Sequence, residues 1–295
     1  MAPLLAEGSG LEPGTDFHLG YSPERINPGD PNATLEGTPK VVSGIDPASL
    51  ARVQAFYDDL VVRTVPVSGT REAELTKLLE NTFRHVNVAL VNELAMFAAD
   101  LGIDVWEAID AADTKPFGFM RFEPGPGVGG HCLPIDPSYL AWKVRDELDA
   151  PFRFVELANE VNDFMPEYVV RRLGAGLHER GRALEGARVL LLGLAYKPET
   201  GDARESPALR VASRLAQLGA AVRAADPYVV DAVHGLDPGV SLVRVELSPE
   251  ELAAADAVVV LTPHAAFDLD AVVTHARYVL DTRRRVPAGE RVEYL

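Results

Sequence analysis

Between Thr70 and Leu101 apolar side chains recur at every third or fourth position: Leu75, Leu78, Leu79, Thr82, Phe83, Val86, Leu90, Leu94 and Phe97. That is the period of an α-helix carrying one apolar stripe. Thr70 is read as its N-cap, Glu72 and Glu74 suit the positive end of the first turn, and Gly102 is placed to stop it. A helix of about 30 residues is roughly 45 Å long, enough to act as a spine between domains or subunits. Lys77, Asn81 and Arg84 share the face opposite the stripe. Such a face is expected to be solvated; the alternative is a lysine and an amide aimed at one ligand, where both could stabilise a developing oxyanion.

The pattern on either side of the spine is different. Over residues 17–67, short apolar runs at 17–21, 40–43 and 62–67 flank a helical stretch at 51–60, which reads as a β-α-β unit. After the spine comes a second helical stretch over residues 154–180 with Pro166 inside it. From residue 188 the chain alternates again, with strands expected at 188–194, 221–225, 240–245, 257–261 and 278–281. Ser206-Pro207 has the chemistry of a helix start, Gly219 that of its end, and residues 249–255 read as another helix. Strands alternating with helices of this length imply a doubly wound, mostly parallel sheet. The fold class is α/β, in three parts: 1–68, a helical 69–182, and a Rossmann-like 183–295.

Composition excludes some functions. A formal net charge of −16 over 295 residues argues against a partner such as nucleic acid, which needs a basic face. No apolar run is long enough to span a membrane. The first residues lack a basic region followed by a long apolar core, so no signal peptide is read, and one cysteine points to the cytoplasm. The seven histidines show no metal-ligand spacing, and no metal site is expected.

The lone cysteine, Cys132, has no disulfide partner, so its use is packing or reactivity. The residues before it, Glu123-Pro124-Gly125-Pro126-Gly127-Val128-Gly129-Gly130-His131, cannot form an ordinary helix or strand. They read as a loop that brings backbone close to something, with a thiol at its end and the Asp136 carboxylate four residues later. That suits a covalent nucleophile beside a bound substrate. Two further segments could meet an anion. Gly193-Leu194-Ala195-Tyr196-Lys197 leaves a strand end and runs past Arg204 into a helix N-terminus, where Lys197 and Arg204 suit a diphosphate. Arg283-Arg284-Arg285 follows a strand end at Asp281. Glu24 lies between a strand and a turn-rich segment at residues 27–30. Taken by itself it is expected to pair with Arg25 at the surface, the alternative being a catalytic carboxylate.

Together these segments resemble the NAD-dependent UDP-glucose/GDP-mannose dehydrogenase family, the nucleotide-sugar 6-dehydrogenases. The matching residues are Ser22-Pro23-Glu24-Arg25, the run E-L-T-K-L-L-E-N from Glu74 to Asn81, G-G-H-C-L-P-I-D from Gly129 to Asp136, and G-L-A-Y-K-P-E-T-G-D-A-R-E-S-P from Gly193 to Pro207. P-G-P-G-V-G-G-H-C, with Lys115-Pro116-Phe117-Gly118-Phe119, resembles the branch acting on UDP-N-acetylhexosamines.

The resemblance implies that Cys132 captures the C6 aldehyde of the sugar as a thiohemiacetal, which a second oxidation turns into a thioester. It implies that Lys77 and Asn81 stabilise the oxygen, that Asp136 works with the lysine and a water in the first proton abstraction, and that Glu24 takes part in thioester hydrolysis. Arg25, Arg84, Gly127, Gly129, Tyr196, Lys197 and Arg283 are the implied substrate contacts, and Arg204 the implied cofactor contact. Phe119, Arg121 and Glu123 fall where substrate contacts are expected, without assigned roles. The cofactor implied is NAD and the partner a UDP-linked sugar, with a homodimer through the helix at 70–101.

Relatives begin with a strand and a glycine-rich turn for the NAD pyrophosphate, a pattern not found in this sequence. Only a remnant sheet at about 15–67 is then expected from the dinucleotide-binding domain. The readings left open are a portion of a longer dehydrogenase, a separate NAD-binding chain, a homologue that binds UDP-sugar without redox activity, and a non-redox enzyme reusing the same site.

Overall fold

The computed structural model describes residues 1–26, 34–130, 132–230 and 235–295, and Cys132 by its backbone. The turn-rich residues 27–30 and His131 lie outside the described residues. The chain divides into two compact units, Met1–Asn81 and Thr82–Leu295.

The first unit opens with α1 (Ala2–Ser9), an exposed helix stopped by Gly10 at φ 69°. Nothing in the apolar pattern marked it. Strands β1 (Gly20–Tyr21), β2 (Lys40–Gly44) and β3 (Thr64–Pro66) form a three-stranded sheet with β2 in the middle. β2 and β3 are parallel and joined by α2 (Pro47–Asp58), so the expected β-α-β unit is present. α2 begins four residues before the apolar pattern does, because Asp46 caps it: its carboxylate accepts the Ser49 amide at 2.7 Å, and Pro47 fits the first turn. Val41 and Val42 anchor the sheet's core.

Helix α3 spans Thr70–Leu101, the limits its periodicity predicts. Thr70 is not its N-cap. It lies inside the helix, and the Gly69 carbonyl already accepts from the Ala73 amide at 3.2 Å. At the other end Gly102 adopts φ 68°, its amide donates to Ala99, and the Ile103 amide donates to Ala98. This paired closure satisfies the last carbonyls and needs a residue free to be left-handed. The expected burial holds at Thr82 and Arg84 but not along most of the helix. Leu90, Leu94, Phe97 and Leu101 are 53, 47, 56 and 72% exposed, whereas Asn81, His85 and Asn92 are buried. Periodicity identifies an amphipathic helix but not which medium each stripe meets.

The second unit continues with α4 (Val105–Asp113), α5 (Cys132–Leu148) and α6 (Arg153–Glu179). Among the described residues it closes with six strands and three helices: β4 (Arg188–Leu192), α7 (Pro207–Gln217), β5 (Ala221–Ala225), β6 (Val243–Arg244), α8 (Pro249–Ala254), β7 (Ala257–Val260), α9 (Leu269–His275), β8 (Val279–Asp281) and β9 (Val292–Tyr294). The strands are parallel in the order β6-β5-β4-β7-β8-β9. β6 is shorter than expected, and β9 was not foreseen because three edge residues carry little pattern. β4 and β7 are central and covered on both faces, which is why they read as unbroken apolar runs. The chain steps outward from β4 to β6, then returns to β7 on the other side. That reversal leaves a crevice at the carboxyl ends of β4 and β7, where doubly wound sheets bind ligands.

Candidate active site

The residues implicated by the sequence fall in both units, and each group is described within its own. In the first unit the Glu24 carboxylate accepts the backbone amides of Arg25 at 2.7 Å and Ile26 at 2.9 Å, and the Lys40 ammonium at 3.3 Å. Burial pushes its pKa up, but these hydrogen bonds outweigh it and hold the carboxyl below its ordinary range. The expected Glu24–Arg25 ion pair is absent. The Arg25 guanidinium instead grips Glu80, with Nη2 at 2.6 Å, and donates to the Pro39 carbonyl. A fork-shaped cation is drawn to a carboxylate it can meet with two donors, and Glu80 offers that geometry. Lys77 is half-buried on α3 and Asn81, one turn on, is buried. Lys40 carried no signal in the sequence; it is a lysine at the start of an apolar strand.

In the second unit Arg84 is exposed, and α5 begins at Cys132, with Asp136 one turn further along. The glycine-rich loop before them approaches the protein's own atoms. A Cβ on Gly125 would lie 2.2 Å from the Arg283 guanidinium, and one on Gly129 would lie 2.8 Å from both the Glu205 carbonyl and Pro207. One on Gly130 would lie 2.8 Å from the Tyr196 ring. Gly127, at φ 124°, passes the Asn162 carbonyl, which the proline at position 166 cannot bond as an ordinary helical residue would. The Gly130 amide donates to the Arg204 carbonyl at 3.2 Å. The loop therefore passes Arg283 at Gly125, Pro207 at Gly127 and Gly129, and Tyr196 at Gly129 and Gly130 before α5 begins.

Among the three consecutive arginines, two are committed. Arg284 pairs with Asp110 at 2.9 Å and Arg285 with Glu123 at 2.8 Å, and Arg121 bridges the same two carboxylates. Arg283 donates through Nε to the Leu261 carbonyl at 3.3 Å, and among the described residues its two terminal amino groups meet no acceptor. Burial brings its pKa down to about 10, with Arg285 adding to the effect and Glu123 and Asp281 opposing it. It is still cationic at neutral pH. A half-buried guanidinium with donors to spare suits an anion. Arg204, in contrast, is exposed and held bidentately by Asp202 at 2.6–3.1 Å. Lys197 lies over the Tyr196 ring at 5.6 Å.

Sequence reading missed the group that shapes the β4 end. Asp226, directly after β5, accepts the amides of Leu194 at 2.6 Å, Ala195 at 3.0 Å, Tyr228 at 2.8 Å and Val229 at 2.9 Å. It also meets His264 Nε2 at 3.1 Å. The Glu199 amide donates to Nδ1 of that ring, so its proton sits on Nε2, which donates to Asp226. Burial raises the Asp226 pKa, and these hydrogen bonds lower it far more. An Asp-Pro pair after an expected strand was the available clue.

The parallel order of the sheet and the crevice at its reversal define an α/β protein of the doubly wound class. Residues 71–164 match the central domain, and residues 190–287 the UDP binding domain, of the UDP-glucose/GDP-mannose dehydrogenase family, and the chain belongs to that family. It is 35% identical over 276 residues to a UDP-N-acetyl-D-mannosamine dehydrogenase of Salmonella typhi, covering 91% of this chain and 63% of that protein. It is 39% identical over 241 residues to a UDP-N-acetyl-D-glucosamine 6-dehydrogenase of Pseudomonas aeruginosa, covering 80% of this chain and 56% of the relative. The solved structure of the UDP-D-ManNAc dehydrogenase of Pyrococcus horikoshii superposes with a TM-score of 0.81 at 30% identity, over 99% of this chain and 68% of that one. An NDP-N-acetyl-D-galactosaminuronic acid dehydrogenase of Methanosarcina mazei gives 0.83 at 31%, over 100% and 65%.

If Arg283 receives a phosphate, Arg283→Ala should weaken UDP binding ten- to a hundredfold, the range of about 1.5–3 kcal/mol for hydrogen bonds to a charged group. Calorimetric titration reads this directly, and an unchanged affinity would remove Arg283 from the site.

Proposed function

We propose that this chain carries the substrate-binding and acyl-transfer half of a nucleotide-sugar 6-dehydrogenase acting on a UDP-N-acetylhexosamine. The Arg283 guanidinium, with two amino groups lacking acceptors among the described residues beside the glycine-rich loop, is the observation that carries the reading. It suits the diphosphate, and Tyr196 and Lys197, at the same crevice, suit the rest of the nucleotide. We place the boundaries of the three parts at 68/69 and 182/183.

In this reading the Cys132 thiolate adds to the C6 aldehyde, forming a C–S bond and leaving an oxyanion. Lys77 and Asn81 donate hydrogen bonds to that oxygen. Asp136, with the lysine and a water, takes the proton in the first step. Once the adduct is a thioester, Glu24 receives the proton of the water that cleaves it, releasing the uronate and the thiol. A carboxyl held below its ordinary pKa is ionised and ready to act as that base.

The hydride acceptor of the family is NAD. The described residues do not fit its pyrophosphate cradle. The turn after β4 reads Gly193-Leu194-Ala195, and Asp226, where a ribose-binding acid would stand, is turned inward and fully occupied. No step is derived through NAD here, and Arg204 remains a proposed contact only.

The exposed Leu90, Leu94, Phe97 and Leu101 of α3 form an apolar stripe suited to a second copy of the chain. Leu90→Asp with Leu94→Asp should give a monomer by light scattering, where the wild type is a dimer; equal masses would sink this interface.

Titration with UDP-N-acetylglucosamine and UDP-N-acetylmannosamine tests the central proposal. Micromolar binding of either is expected, and no binding of any UDP-sugar would refute it.

A further inference from the structure

The buried polar face of α3 runs into a line of hydrogen bonds that the proposed chemistry does not use. The Gly125 amide, in the glycine-rich loop, donates to Asn92 Oδ1 at 2.9 Å. Asn92 Nδ2 donates to Asn162 Oδ1 at 2.9 Å, and Asn162 Nδ2 donates to His85 Nδ1 at 3.4 Å. On the other side of the ring His85 Nε2 meets Asn159 Oδ1 at 2.7 Å. Asn159 Nδ2 donates to Ser138 Oγ at 3.2 Å, and that hydroxyl donates to the Pro134 carbonyl at 2.7 Å. Pro134 is in the first turn of α5, two residues after Cys132.

Every bond in this series points the same way, and the ends enforce it. A backbone amide can only donate and a backbone carbonyl can only accept, so each side chain between them has one orientation that satisfies both neighbours. Turning over either Asn92 or Asn159 would break two bonds at once. The ring between them must be neutral, with one donor and one acceptor, and burial does hold the His85 pKa below its ordinary value. Asn92, Asn162 and His85 are 0, 4 and 1% exposed, at positions where leucine would fill the space without polar cost. Fully satisfied polar networks in a core are rigid, and a rearrangement at one end is felt at the other.

We infer that this series couples the glycine-rich loop to the first turn of the cysteine helix, and that Asn92, Asn162, His85, Asn159 and Ser138 are positioning residues for Cys132. The inference rests on the proposed roles of that loop and that thiol. Occupation of the loop would then adjust the helix start through these side chains.

Cys132 is the only cysteine, so its alkylation by iodoacetamide can be timed directly, without any substrate. Asn92→Leu and Ser138→Ala cut the series near opposite ends. Each is expected to change the alkylation rate about fivefold, and the double variant to match the single variants within about twofold, because a line already cut transmits nothing more. Rate effects that multiply, or an Asn92→Leu effect below about twofold, would overturn the coupling. His85→Gln keeps a donor and an acceptor and should stay within about twofold of the wild type, whereas His85→Leu should not. Equal rates for those two would also overturn it, and this pair decides the matter if Asn92→Leu does not fold. Failure of UDP-sugar to bind the wild type refutes the proposed function separately and leaves the alkylation cycle able to decide for or against the coupling.

Discussion

Cys132→Ala is expected to abolish the excess affinity for the C6 aldehyde over the C6 alcohol of a UDP-N-acetylhexosamine, while leaving affinity for the alcohol within about twofold of the wild type. Loss of a covalent nucleophile removes an interaction made only with the reacting aldehyde, and roughly tenfold or more in relative affinity is the scale expected. Binding of the alcohol survives because the contacts proposed for the nucleotide lie at Tyr196, Lys197 and Arg283. The two calorimetric titrations together separate the chemical role from a structural one. An alanine variant that keeps the aldehyde preference of the wild type would remove the thiol from the mechanism. Equal losses of affinity for aldehyde and alcohol would make Cys132 a packing residue.

The second large effect belongs to Asp226, which touches no proposed substrate atom. Its carboxylate satisfies four backbone amides and His264 at the end of β5. Asp226→Ala leaves those donors buried, at about 1–3 kcal/mol for each one that water cannot reach. A destabilisation of about 3–5 kcal/mol is expected in urea unfolding, with a shift of the midpoint and little change in slope. Asp226→Asn should cost less and change the acid branch. The folded pKa is depressed, so the stabilisation from the charge is present above the unfolded value of 3.8 and is lost as pH falls below it. The asparagine variant should therefore show a shallower loss of stability below about pH 4. A stability curve parallel to the wild type in that range would mean that the charge contributes nothing.

Much of the architecture was legible in the residues. The limits of α3 follow from its period and Gly102, and the parallel sheet from apolar runs alternating with helices. The family followed from four short motifs in order. What the motifs could not convey is partnership across long separations. His85 and Asn92 meet Asn159 and Asn162 more than sixty positions away, so polar positions near Asn81 are interior, while Arg84 stays exposed. The glycines at 125, 129 and 130 were correctly read as marking close approach, but not what they approach. Arg283, Pro207 and Tyr196 are brought there by the folding of the sheet domain. Asp226 was invisible for a related reason, since one acid after a strand has no period and its acceptor role depends on amides more than thirty residues upstream.

The strand order also has a consequence for the order of events during synthesis. β4, the innermost apolar strand, leaves the ribosome before any of its neighbours. β5 can pair with it after one short crossover, but its other edge stays open until residues 257–260 have emerged. During that interval Val189, Leu190, Leu191 and Leu192 present an unpaired, nearly uncharged strand edge, the kind of surface on which chains stick to one another. Parallel pairing of such distant segments is also slow. Yield in expression should therefore respond more to temperature and to chaperone supply than the tightly packed final sheet would suggest.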